Sequence, residues 1–202
     1  MVTVAVLGHR GYLGAHVARY LREWGADVRT TDLRWDGTPA LVDWAAEHEY
    51  VIDCIRGHDT DLAPLLATRC RLVIPSTDAI REDTPYAIGK RVMERTVRAV
   101  IIRAGIVDTR RRHPVAYTDW LCDPLTPLEW AEAAWAARDE PGVISVGRHP
   151  VDRWTIAMHV ARVFGREFPR PGSGGRRDRI VAGWGHQWIG HAIEEYARWL
   201  LS

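Results

Sequence analysis

The opening of the chain constrains its fold more than any other stretch. Residues 2–7 form a β-branched and apolar run with no polar alternation, the pattern of a strand covered on both faces in a parallel sheet. A glycine turn, Gly8-His-Arg-Gly11-Tyr-Leu-Gly14, follows at once. Leu13, Val17, Tyr20, Leu21 and Trp24 then recur at helical spacing, and Gly25 stands where a helix is usually closed. Residues 26–31 read as a second strand ending at Asp32. Strand, turn, helix and strand in this order make a right-handed βαβ unit, with the first strand expected at the centre of its sheet.

The rest of the first half repeats the alternation. A short helix is expected over 40–47, a strand over 50–55, a helix over 62–68 and a strand over 71–75 that leads into Ser76-Thr77-Asp78. Thr84 as N-cap and Pro85 at the first helical position open a helix running to about residue 98, and a fifth strand follows at 100–104. Beyond Asp108 the texture changes to a basic loop, helices near 128–138, 155–165 and 188–201, a short strand at 142–146 and a Gly- and Arg-rich loop at 169–177. The expected fold class is therefore α/β, a Rossmann-like doubly wound parallel sheet. Its domain plan is a dinucleotide-binding part over 1–108 and a small, mostly helical substrate-binding part over 109–202 packed on it.

Composition narrows the partners. With 47% apolar and 26% charged residues, the 202-residue chain can bury a sizeable core. Its 27 basic and 26 acidic residues nearly cancel, so the footprint of a nucleic-acid binder is missing. No basic n-region or long apolar stretch suggests a signal peptide or a membrane partner. Three scattered cysteines give no CxxC pair and fit a reducing cytosol, so the expected location is cytoplasmic. Ten tryptophans are expected in the core or lining a groove.

Two constellations carry chemistry. A pyrophosphate needs approachable backbone N–H groups at a helix N-terminus, which Gly8, Arg10, Gly11, Tyr12, Leu13 and Gly14 would supply; the same glycines would also serve a tight turn that needs them only for packing. Asp32 lies 18 residues past Gly14, where a carboxylate accepts hydrogen bonds from an adenosine ribose and favours NAD. Arg10, with Arg29 and Arg34, would instead reach a 2′-phosphate and favour NADP. The cofactor reading stays open between the two. The second constellation is Tyr86-Ala-Ile-Gly-Lys90. Residues i and i+4 share a helix face, so the Lys90 ammonium is expected to lower the proton affinity of the Tyr86 phenol against the opposing effect of desolvation. Ser76 or Thr77 would hydrogen-bond a substrate carbonyl.

On these residues the chain resembles the short-chain dehydrogenase/reductases, in particular the extended branch that includes the NAD-dependent epimerases and dehydratases. Residues 6–14 match its GxxGxxG loop, and residues 74–78 followed by 86–90 are similar to the dTDP-4-dehydrorhamnose reductases. The resemblance implies an NAD(P)-dependent oxidoreductase of the ketoreductase type acting on a nucleotide sugar or similar small molecule. It implies that Ser76 or Thr77 polarises the carbonyl, that Tyr86 exchanges the proton, and that Lys90 holds the nicotinamide ribose. An epimerase or dehydratase with the same residues is the alternative, as is a dinucleotide-binding sensor or scaffold without turnover. Short connections at 33–49 and 56–70 leave out a strand and long helices that the family places there; the oligomeric state is left open, with a homodimer among the options.

Other residues carry weaker signals. His9 and His58 read as surface histidines, His186 and His191 lack zinc-ligand spacing, and no metal site is expected. Arg110, Arg111 and Arg112, or Arg176 and Arg177, would clamp a phosphate or stay solvated. Trp120, Trp130 and Trp135 would stack on a base or fill the core, and Cys54 reads as a packed thiol.

Overall fold

The apolar runs of the first half become strands because each can be covered on both faces, and the amphipathic stretches between them become the covering helices. In the computed structural model, which describes residues 1–110, 115–117, 121–122, 124–146, 151–172 and 185–202, the chain opens with β1 (Thr3–Leu7), α1 (Tyr12–Glu23), β2 (Asp27–Arg29), α2 (Ala40–Ala45) and β3 (Tyr50–Asp53). Next come α3 (Leu62–Arg69), β4 (Arg71–Ser76), a 3-10 turn (Asp78–Arg81), α4 (Pro85–Thr96) and β5 (Val100–Arg103). Four short strands follow, β6 (Gly105–Ile106), β7 (Val115–Tyr117), β8 (Leu121–Cys122) and β9 (Pro124–Leu125), and then α5 (Pro127–Ala136) and β10 (Gly142–Ser145). The chain ends with β11 (Val151–Asp152), α6 (Arg153–Val163), β12 (Arg170–Gly172) and α7 (Gly185–Leu201).

These elements form two compact units, Met1–Ala104 with Pro127–Ser145, and Gly105–Thr126 with Val146–Ser202. The division differs from a single break after residue 108, because α5 and β10 return to the first unit. Sequence texture reports local composition, and only strand pairing could place β10 beside β5.

The first unit is a six-stranded sheet in the order β10-β5-β4-β3-β1-β2, with every neighbouring pair parallel. This is the Rossmann-like α/β arrangement expected from sequence, with one correction. β1 is not central but one place from the edge, because the segment between β2 and β3 holds only α2 and no strand to extend the sheet beyond β2. The chain lays β2 on one side of β1 and β3 on the other, so the switch point of the sheet falls between β1 and β3. Ligands of such sheets bind at that crevice, outside the carboxyl ends of the strands.

Alternation along the strands divides the core. Ala5, Leu7, Leu72, Ile74 and Ile101 join Leu41, Leu62, Leu66 and Met93 from α2, α3 and α4 in one buried cluster. Val4 and Val6, equally buried, take the opposite face by the strand period, and α1 packs with α5, whose Trp130 is fully buried. The tryptophans do not all follow expectation: Trp24, at the C-cap of α1, is 66% exposed. Thr84 caps α4 as the sequence predicts, its side-chain oxygen accepting from the Ala87 amide at 3.2 Å.

In the second unit β6 pairs β9 and β7 pairs β12 in parallel, while β8 pairs β11 antiparallel. Val107, Val151, Val160, Ile189 and Ile193 form its core, and Asp152 caps α6 by accepting from the Thr155 amide at 2.8 Å. Strands of two or three residues leave no periodic signal, so the sequence reading saw mainly helices here. Among the described residues no helix is long and apolar enough to cross a membrane.

Candidate active site

The glycine turn joins β1 to α1 at the switch point. Gly8 adopts φ +70°, and a Cβ there would lie 2.9 Å from the Cys54 carbonyl carbon just beyond β3. A Cβ on Gly14 would meet the Gly8 carbonyl oxygen at 2.3 Å, so α1 starts in direct contact with the turn. The Gly11 amide donates back to the Gly8 carbonyl at 2.8 Å and closes the turn. These approaches satisfy the packing role of the glycines. They also leave α1 without a side-chain cap at Gly11 and without an acidic residue in its first turn. An anion can therefore take the place of a cap on the amides of Tyr12, Leu13 and Gly14, the arrangement a diphosphate needs. Tyr12 itself packs edge-on against His16, with ring centroids 4.8 Å apart.

β2 stops at Arg29, and Asp32 lies beyond it in the loop. There Asp32 forms an ion pair with Arg10 at 2.5 Å. Arg34 is exposed nearby in sequence, and Arg29 pairs instead with Asp27 at 2.8 Å.

The second constellation comes together at the carboxyl ends of β3 and β4. β3 pairs with β4 only as far as Val73, so Pro75 stands past that ladder, where a missing N–H costs no bond to β3. Thr77 follows and caps the 3-10 turn, its hydroxyl oxygen accepting from the Ala79 amide at 3.1 Å. The same side chain bears on the Tyr86 phenol and favours its ionised form. On α4, Tyr86 is 48% exposed and Lys90 is buried, with the ammonium 5.8 Å from the Tyr86 ring centroid. Lys90 Nζ donates to Asp59 Oδ1 at 2.6 Å and to the Pro75 carbonyl at 2.7 Å.

The electrostatics correct one expectation. Lys90 was expected to lower the proton affinity of Tyr86, yet desolvation pushes the phenol above its ordinary 10.0, helped by the negative charges of Asp59 and Asp78. Arg56 and the Thr77 side chain act in the opposite direction without prevailing. The physical reason is first the burial of the phenol, which disfavours its charged form, and then the Asp59 carboxylate, which lies on the Lys90 ammonium that was to do the lowering. Asp53, at the end of β3, completes the cluster: burial pushes its carboxyl up to about 6, against the Ile55 amide that it accepts and the Lys90 charge.

Ser76 and Thr77 part company. Ser76 ends β4 with its hydroxyl donating to Glu94 Oε1 at 2.6 Å, and Glu94 pairs with Arg103 of β5 at 2.5 Å. Of the two candidate hydroxyls, the structure brings Thr77 to Tyr86 and holds Ser76 in a separate network.

Sequence reasoning missed Asp53, Asp59 and Glu94. An acid closing the apolar run of β3 was the only available signal for Asp53. Nothing in linear spacing ties Asp59 to Lys90, which lies 31 residues away.

The weaker candidates resolve in part. His58 pairs with Asp61 at 3.1 Å, and Asp61 also accepts from the Trp35 indole at 2.8 Å. Arg110 pairs with Asp108 at 3.3 Å, and Trp130 is core. Trp135 packs against Tyr50, with Arg138 4.2 Å from its ring centroid. Burial pushes the Cys54 thiol up, as suits a packed cysteine. Arg111, Arg112, Trp120, Arg176 and Arg177, and the side chain of His186, lie outside the described residues. No metal-binding cluster of histidine, cysteine and carboxylate groups occurs among the described residues.

A parallel sheet with a glycine turn at its switch point defines the class, a doubly wound, Rossmann-like α/β fold. Among solved structures the chain is similar to UDP-N-acetylglucosamine 4-epimerase from Bacillus cereus, with a TM-score of 0.69 and 14% identity over 100% of both chains. It is similar to dTDP-4-dehydrorhamnose reductase from Bacillus anthracis in complex with NADP, with a TM-score of 0.71 and 15% identity over 100% of this chain and 99% of that one. It is also similar to dTDP-glucose 4,6-dehydratase from the same organism in complex with NAD, with a TM-score of 0.71 and 10% identity over 99% and 96%. The likeness establishes the fold that the family resemblance implied. No family model and no curated protein matches the sequence.

Proposed function

We propose that the chain is an NAD(P)-dependent oxidoreductase of the ketoreductase type, acting on a nucleotide sugar or similar small molecule. One observation carries the reading: the Thr77 hydroxyl, the Tyr86 phenol and the Lys90 ammonium gather in the unit that holds the glycine turn, at the carboxyl ends of its strands. The uncapped start of α1 suits the diphosphate of a nicotinamide dinucleotide. When bound, that group supplies the hydride for a carbonyl carbon.

The chain's own residues do the rest. Thr77 donates to the carbonyl oxygen and draws charge onto it. Tyr86, protonated across the neutral range, gives its proton to the same oxygen as the new C–H bond forms, and recovers it from solvent afterwards. Lys90 has three N–H donors and uses two on Asp59 and Pro75, which leaves one for the nicotinamide ribose. Arg10 and Asp32 meet the adenosine ribose, Asp32 suiting a free diol and Arg10 a 2′-phosphate.

Structures of an epimerase, a reductase and a dehydratase share this fold, so the same residues support a second reading. The Asp78 carboxylate, 3.5 Å from the Thr77 hydroxyl, places an acid beside the hydroxyl as a dehydratase needs. A sensor without turnover would keep the glycine turn and have no use for Tyr86.

The experiment is mass spectrometry of the dinucleotide that co-purifies, followed by thermal-shift titration with nucleotide sugars and turnover assays of the best binder. Tyr86→Phe should keep dinucleotide affinity and lose about 100-fold or more in turnover. Unchanged turnover removes Tyr86 from the reaction, and a chain that binds no dinucleotide overturns the reading.

A further inference from the structure

Lys90 and Asp59 form a nearly closed ion pair, with side chains 6% and 11% exposed. A buried pair of this kind is costly to build unless its remaining polar atoms are satisfied, and the Pro75 carbonyl takes a second N–H of the ammonium. The two charges meet beside the Tyr86 ring, so whatever fixes Lys90 also fixes the field at the phenol. Asp59 reaches the site from the segment between β3 and α3, while Lys90 and Tyr86 both belong to α4.

We propose that Asp59 is a positioning residue for this site, clamping Lys90 against the Pro75 carbonyl and offsetting its charge, so that Tyr86 serves as a proton donor rather than as a base. The assignment rests on the oxidoreductase reading for its meaning and predicts the direction of the chemistry: the site favours reduction of a carbonyl over oxidation of an alcohol. A phenol that keeps its proton is ready to protonate the oxygen of a reduced carbonyl, whereas alcohol oxidation needs the phenolate. The groups that bear on Tyr86 are Arg56, Asp59, Asp78 and the Thr77 hydroxyl, with Lys90 next to the ring. Lys90 in turn faces Asp53, on which Asp59 and His58 also act.

The test is the titration of Tyr86 in the intact chain without cofactor or substrate, read by tyrosinate ultraviolet absorbance as the difference between each variant and the same variant carrying Tyr86→Phe. In the unaltered chain the midpoint should lie above 10.0. In Asp59→Asn it should fall by about 1 pH unit as the uncompensated ammonium acts on the phenol. Asp59→Glu, which keeps the charge, should return it toward the original value. With Lys90→Met in place, Asp59→Asn should lower the midpoint by less, since only the direct charge of Asp59 on the phenol is then lost and no ammonium is left uncompensated. That double variant leaves neither charge buried alone and is read against Lys90→Met if Asp59→Asn does not fold. A midpoint that stays or rises in Asp59→Asn overturns the proposal, as does a full effect of Asp59→Asn with Met at position 90. The titration needs no turnover, so the failure of the oxidoreductase reading and the failure of the clamp register separately.

Discussion

Arg10 and Asp32, the two residues that pull cofactor choice in opposite directions, are each other's ion-pair partner at 2.5 Å. Their side chains are 70% and 72% exposed, so the pair adds little stability and is easily opened by a ligand. An adenosine diol can take Asp32 as an acceptor, whereas a 2′-phosphate must displace Asp32 from Arg10 and sit beside its charge. Asp32→Ala frees Arg10 and removes the repulsion. It should shift the ratio of NADP to NAD affinity by about 10-fold toward NADP, near 1.4 kcal/mol. Calorimetric titration of both dinucleotides checks this, and an unchanged ratio would show that the pair lies away from the ribose.

Glycines of the two functional segments should respond oppositely to alanine. At Gly14 the new Cβ meets backbone, 2.3 Å from the Gly8 oxygen and 2.7 Å from its carbon, so the turn or the helix must move. Gly14→Ala should cost about 2 kcal/mol or more and weaken dinucleotide binding. At Gly89, between Tyr86 and Lys90 on α4, a Cβ meets nothing within 4 Å. Gly89→Ala should stabilise the chain by about 0.5–1 kcal/mol through helix propensity. Thermal melts of the two variants should move in opposite directions.

Asp53 makes stability depend on pH. Its carboxyl is raised from 3.8 to about 6, so between these values the native chain holds more protons than the unfolded one. The contribution of Asp53 is most favourable below about pH 4 and is lost as the pH rises through about 6, the reverse of an ordinary salt-bridged carboxylate. Asp53→Asn keeps an oxygen for the Ile55 amide and carries no charge. Relative to the unaltered chain, this variant should gain on the order of 2 kcal/mol between pH 4 and pH 7. Denaturant melts across that range check the difference, and a constant offset would show that Asp53 does not titrate as described.

The Ser76, Glu94 and Arg103 network should act on stability rather than on chemistry. Glu94 is nearly buried, accepts from the Ser76 hydroxyl at 2.6 Å and pairs with Arg103. Glu94→Ala leaves both partners without their acceptor and should cost about 2–3 kcal/mol. Ser76→Ala removes only a donor and should cost about 1 kcal/mol while sparing turnover, and Thr77→Val should reduce turnover with little loss of stability. Paired melting and rate measurements on the two variants separate the hydroxyls.

Much of the first unit was legible in the sequence because its signals are local. The β-branched run of β1, the glycine turn and the Thr84-Pro85 start of α4 each act through residues within a few positions of one another. Element boundaries moved more: β2 ends at Arg29, which leaves Asp32 in a loop free to meet Arg10. The short strands of the second unit had no period to read, and β10 was seen as a strand but not as a member of the main sheet.

The sequence by itself determined the βαβ order, the helix that carries Tyr86 and Lys90 on one face, and the segment that supplies a hydroxyl. Hydrophobic period, glycine and proline stereochemistry and cap chemistry all operate over one or two turns of chain. Only the tertiary structure decided that Thr77 rather than Ser76 meets Tyr86, that Asp59 closes on Lys90, and that the phenol's proton affinity goes up rather than down. Those outcomes depend on desolvation and on charges brought together from β3, β4 and α4. Burial and Coulomb energies are set by distance in space, which residue spacing along the chain does not encode.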